Sequence, residues 1–161
     1  MKRITFALPA LALMMAASTG MAVAADNDSH AVTVTVSAIN EVAITGGAVS
    51  LTINSATAGS EPDAVSDTAT ADLAWTTNET SKKITVETDL GSPSFSLSVT
   101  AGSVSGGTTA GAVVVSSTPA DFVTGIATTT GGCDLEYSAS STAADGTGSD
   151  AHTITYTMTA V

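Results

Sequence analysis

The sequence predicts an all-β chain: one antiparallel β-sandwich of about eight or nine strands behind a cleaved N-terminal signal peptide. Three observations predict it. Apolar and polar residues alternate with period two in segment after segment, and helical periodicity is missing. Thr and Val, which are β-branched and suit strands, dominate those segments in place of helix-forming stretches. Glycine pairs at Gly46-Gly47, Gly106-Gly107 and Gly131-Gly132, with Asp145-Gly146, punctuate them as turns would. A closed barrel carries the same signature and stays as the alternative.

Residues 1–25 read as a targeting segment: Lys2 and Arg3, an apolar run from Phe6 through Met15, then small residues to Val23-Ala24-Ala25. The run is too short to span a bilayer comfortably, and no second one of ~20 residues appears later in the chain. Residues 26–161 then form one domain. Its first expected strand is 31–39, where Val32, Val34 and Val36 oppose Thr33, Thr35 and Ser37, and Ile39 closes the run.

Further strands are expected around Val49, Leu51 and Ile53, then Ala71, Leu73 and Trp75. Ile84 with Val86, and Phe95 with Leu97 and Val99, continue the pattern. Cys133, Leu135, Tyr137 and Ala139 form another alternation, and Ile154, Tyr156, Met158 and Ala160 form the last. Ala112 to Val115 is apolar on both faces and reads as a central or two-sided strand. Residues 56–70 and 140–150 read as long loops.

Charge excludes whole classes of partner. Beyond the leader, fifteen carboxylates face only Lys82 and Lys83, with no arginine, for a formal charge of about −13. Phosphate binding needs clustered cations, so nucleic acid is excluded and anionic membranes are disfavoured. Calcium remains compatible: Glu61, Asp63 and Asp67 in one acidic loop, and Asp145 and Asp150 in the other, offer oxygens. Their spacing fits no EF-hand, and solvated loop charges are the plainer reading. No other cofactor is implied.

Catalysis finds little support. A Ser-His-Asp site needs a proton-shuttling histidine, and only His30, near the expected cleavage point, and His152, at the last strand, are present. No Gly-x-Ser-x-Gly elbow surrounds any serine. Asp134 and Glu136 alternate with the apolar set and should face water, where a raised pKa is not expected. The expectation is a protein that is not an enzyme. A lone cysteine, Cys133, forms no intrachain disulfide. Its parity with Leu135 places it inside, and an exposed thiol pairing between chains is the alternative. Trp75 shares the Leu73 face and reads as core. Asn27-Asp28-Ser29 and Asn78-Glu79-Thr80 match the glycosylation acceptor pattern, which short sequences often do by chance.

The leader "MKRITFALPALALMMAASTGMAVAA", the strand "AVTVTVSAIN" and the terminal "HTITYTMTA" together resemble exported, acidic, disulfide-free β-sandwich proteins of prokaryotic surfaces and filaments, in the style of the TasA-like and archaeal bundling-pilus groups. The leader lacks the processing pattern of type IV pilins, and one cysteine cannot supply the disulfide usual in chaperone–usher pilins. The resemblance implies donor-strand complementation, in which one subunit's N-terminal strand completes the sheet of the next. Val32, Val34, Val36 and Ile39 would then be the assembly strand, and the protein a secreted or cell-surface homo-oligomer or filament, with a periplasmic location as the alternative. The competing expectation is a secreted monomeric binding module: an adhesin, or a calcium- or carbohydrate-binding domain.

Overall fold

The computed structural model describes residues 26–161, so the expected leader lies outside the described residues. The chain divides into two units, one ending at Thr35 and the other running Val36–Val161. In the first, residues 26–35 carry neither strand nor helix and every one of them is exposed.

The second unit is all-β, with two antiparallel sheets and no α-helix among the described residues. Its ten strands, in chain order, are β1 (Asn40–Gly46), β2 (Val65–Asp67), β3 (Ala71–Thr77), β4 (Lys82–Thr88), β5 (Ser96–Ser105), β6 (Thr108–Thr109), β7 (Val113–Val114), β8 (Ala120–Ile126), β9 (Thr129–Ser140) and β10 (Ile154–Ala160). The larger sheet runs β1-β3-β9-β5-β7, with β2 pairing the upper part of β9 where β3 has ended. The smaller runs β10-β4-β8-β6. Neither sheet closes on itself, so the barrel alternative is set aside.

The period-two pattern explains the burial. Along β3, Ala71, Leu73, Trp75 and Thr77 are buried and the residues between them exposed. On β9 the buried set is Cys133, Leu135 and Tyr137; on β4 it is Ile84, Val86 and Thr88. Both sheets contribute to one apolar cluster, in which Phe122, Val123, Ile84, Val99 and Leu135 are fully buried. The rings of Phe122 and Tyr156 meet at 5.1 Å with a 54° tilt, a favourable aromatic arrangement. Burying each such large side chain contributes about 1.5 to 3 kcal/mol.

Five expected strands form where alternation placed them: β3, β4, β5, β9 and β10. Others differ. Residues 31–39 are not a strand of their own chain; pairing starts at Asn40, and β1 takes Val42 and Ile44 as its inward residues opposite Trp75 and Leu73. Val49, Leu51 and Ile53 keep their alternation, half-buried between exposed Ser50, Thr52 and Asn54, yet no strand forms because their backbone finds no partner. The apolar run 112–115 yields only two-residue β7 at a sheet edge, not a central strand. The expected loop 56–70 contains β2 and an Ala56–Pro62 bridge, and 140–150 contains a 3-10 turn at Ala143–Asp145.

Gly46 sets how the chain leaves β1. It ends the strand with φ +104°, a conformation L side chains rarely adopt, and a Cβ there would overlap the Thr70 carbonyl oxygen. The backbone can therefore turn tightly and pass into the unpaired segment 48–54.

Candidate functional site

The valines expected to form the assembly strand are solvent-exposed: Val32 at 73%, Val34 at 83% and Val36 at 73%. Ile39 is 40% exposed. Exposed valines alternating over five residues are unusual for a chain that buries such residues elsewhere.

At the root of this arm stands Asn78, in the turn after β3. Its Oδ1 accepts the Ile39 N–H at 2.8 Å, and its Nδ2 donates to the Ser37 carbonyl at 2.8 Å. The Asn78 N–H also donates to the Ile39 carbonyl at 3.2 Å, carrying the β1–β3 pairing one step beyond Asn40. The Asn40 amide donates to Glu79 and accepts from the Thr77 hydroxyl, and Lys82 lies 2.8 Å from Glu79. The Lys82 ammonium, then Asn40, hold the Glu79 carboxyl below its ordinary range. Ser37–Ile39 is thus fixed as a continuation of β1. In the sequence Asn78 stands out only through a glycosylation pattern; in the fold its amide is used on the backbone of residues 37 and 39.

A groove of about 1120 Å³ opens beyond the other end of β1. Its apolar walls are Ile44, Leu51, Phe95, Leu97, Ala139 and Ile154. Ile44 reports how open it is. Cross-strand neighbours share a face, so Ile44 lies on the side of Leu73 and Cys133, which are 1% and 5% exposed. Ile44 itself is 51% exposed, and it lines the groove that the described residues leave open beneath it. Asp150 shapes the rim: its Oδ2 accepts the Ser94 and Phe95 N–H groups at 2.7 and 2.9 Å, tying the loop 146–151 to the entry of β5. Gly148 sits over the Phe95 ring, where a Cβ would come within 3.3 Å.

Among the described residues, two stretches of backbone on this groove lack partners. Gly47 N–H donates to Thr70 and the Ser55 carbonyl accepts from Asp63; between them, among the described residues, no backbone group of Ala48–Asn54 makes a backbone hydrogen bond. The second stretch starts β10. Asp89 N–H donates to the Thr153 carbonyl and Val161 N–H to Ser81, so odd-numbered residues of this strand bond toward β4. Antiparallel ladders alternate, so His152 and Ile154 turn their backbone groups the other way. Both line the groove.

The acidic loop residues each accept hydrogen bonds. Glu61 accepts the Ala143 N–H, Asp63 the Ser55 hydroxyl, and Asp145 the Thr142 N–H at 2.7 Å. Asp67 accepts the Thr70 hydroxyl at 2.7 Å and its N–H at 3.0 Å, and these bonds hold its carboxyl below the usual range. Among the described residues no three His, Cys, Asp or Glu side chains gather as a metal site would require. Cys133 is 5% exposed; burial first, then the Asp134 and Asp72 charges, push its thiol up to about 11. His152 Nδ1 lies 3.1 Å from the Thr88 hydroxyl. Trp75 is 3% exposed, with its Nε1 unpartnered among the described residues.

No protein-family model matches this chain, and neither a curated protein nor a solved structure matched it in comparison.

Proposed function

We propose that the chain is an exported, non-enzymatic structural protein: a cell-surface or extracellular filament subunit that folds as a β-sandwich and assembles through β-strand complementation. One observation carries this reading. The segment with the cleanest strand alternation outside the sheets presents Val32, Val34 and Val36 to solvent. Burying each in a partner is worth about 1.5 to 3 kcal/mol, and backbone pairing along the strand adds to that. The test is to produce residues 26–161 beside a chain starting at Asn40 and image both by negative-stain microscopy. Polymers from the first and none from the second support the reading; a longer chain that is monomeric at every concentration overturns it.

The groove supports a second reading, a monomeric binding module whose ligand lies against Phe95 and Ile154. A volume of about 1120 Å³ lies just above the roughly 300 to 1,000 Å³ of small-molecule pockets. A monomer that retains a small ligand through gel filtration would favour it.

A further inference from the structure

We propose that this groove is the acceptor for the residue 31–37 arm of a second copy, entered head to tail; the proposal rests on the assembly reading above and names its receiving surface. The arm would lie between the open backbone of Ala48–Asn54 and the open start of β10, with Val32, Val34 and Val36 turned toward Ile44, Leu51, Leu97 and Ile154.

Three features fit a strand to this place. Among the described residues both flanking stretches carry backbone donors and acceptors without partners, which is what an added strand satisfies. One wall of the groove alternates as a strand does, with Val49, Leu51 and Ile53 half-buried and Ser50, Thr52 and Asn54 exposed. An inserted strand with period two presents one apolar and one polar face, and the arm has both: three valines against Thr33, Thr35 and Ser37.

Reach decides between its own arm and a neighbour's. Asn78 fixes Ser37–Ile39 at the Asn40 end of β1, whereas the groove starts at Ile44 and Gly47. From Asn40 to Gly46 the strand covers about 20 Å at ~3.4 Å per residue. Turned back along β1, the seven residues from Ile39 to Val32 span only about 23 Å. Val32 alone would arrive at the groove, with Val34 and Val36 stranded beside β1. An arm from a second copy is free of that tether and places all three.

Donor root and acceptor groove lie at opposite ends of β1, so the contact is heterologous, and a joined pair keeps one free groove on the donor copy and one free arm on the acceptor copy. Such a contact extends rather than closing as a symmetric dimer.

The test uses the residue 26–161 chain in two single variants. Val34→Glu charges the exposed arm and leaves the groove intact; Leu51→Glu charges the groove and leaves the arm intact. Each alone should lose polymerisation, and a mixture should give one-to-one dimers, since a Leu51→Glu arm can enter a Val34→Glu groove and no further copy can add. Because Leu51→Glu alters a half-buried position, a second measurement stands apart from it. Hydrogen exchange of the Val34→Glu chain is monitored with a peptide of residues 26–39, and separately with a scrambled peptide. The native peptide should slow exchange within 48–54 and at Ile154, and the scrambled one should not. Protection at another edge, or polymers from Leu51→Glu, would overturn the groove assignment while leaving strand complementation standing. A wild-type chain that never polymerises would remove the assembly reading itself.

Discussion

The phenol oxygens of Tyr137 on β9 and Tyr156 on β10 lie 2.9 Å apart in the core, joining the two sheets by one buried hydrogen bond. Each residue is 8% exposed, so neither hydroxyl has ready access to water as a substitute. Tyr137→Phe or Tyr156→Phe alone should cost about 1 to 3 kcal/mol, because the remaining hydroxyl is left buried without its partner. The double variant should cost less than the two single losses combined. Denaturant titration of the four proteins measures this, and additive losses would count against the bond.

The same pair predicts an alkaline limit. Burial pushes both phenols above their ordinary value, most strongly Tyr156. An acid whose folded pKa is raised loses stability as pH climbs past its unfolded value, here about 10, because only the unfolded chain ionises freely. Melting temperature should fall above about pH 10, and the phenolate absorbance should rise together with unfolding, not before it.

Acid should act through other groups. Asp67, held by Thr70, Glu79, held by Lys82, and Asp89, held by the Thr153 backbone, all have carboxyl pKa values below the ordinary range. Their contribution is complete above the unfolded carboxyl range near pH 4 and is lost as pH falls through the lower folded values. Thermal melts at pH 7, 5 and 3 should show the loss confined to the last interval, and Asp67→Asn should lessen it.

The Asn78 clamp predicts a local effect. Asn78→Ala should expose the Ile39 amide to hydrogen exchange while changing global stability by less than about 2 kcal/mol, since two exposed hydrogen bonds are lost. Asn78→Asp keeps the acceptor for Ile39 and removes the donor to Ser37, so Ile39 should remain protected. Exchange measured residue by residue separates these outcomes.

Cys133 should resist alkylation. A buried thiol pushed up to about 11 has little thiolate at pH 8, so iodoacetamide should label the native chain slowly and the guanidinium-unfolded chain quickly. Native labelling at the rate of a free thiol would place Cys133 at the surface.

The fold is legible in the sequence wherever one face of a strand is dry and the other wet. Where a strand lies between two others, as β3, β4 and β9 do, alternation is clear and its place can be read from it. β8 escapes such reading because register shifts against β4 bury both Phe122 and Val123, which breaks period two. β2, β6 and β7 are too short to carry a pattern. In residues 31–39 and 49–53 the alternation is real, but alternation reports a preference for a sheet and says nothing of whether a partner strand is at hand. The groove is illegible for a different reason: its walls come from separated stretches of chain. The Asn78 clamp pairs residues about forty apart, with no spacing rule to announce it.

The two lysines also determine how the chain meets a protease of trypsin-like preference. After residue 25 such an enzyme has only Lys82 and Lys83 to recognise. Their ammonium groups lie 2.8 and 2.7 Å from Glu79 and Asp121, and both residues start β4, which is paired on either side by β10 and β8. Cleavage there requires the smaller sheet to open first. Beyond residue 25, enzymes that need a basic residue therefore cut the chain only at the rate at which that sheet comes apart.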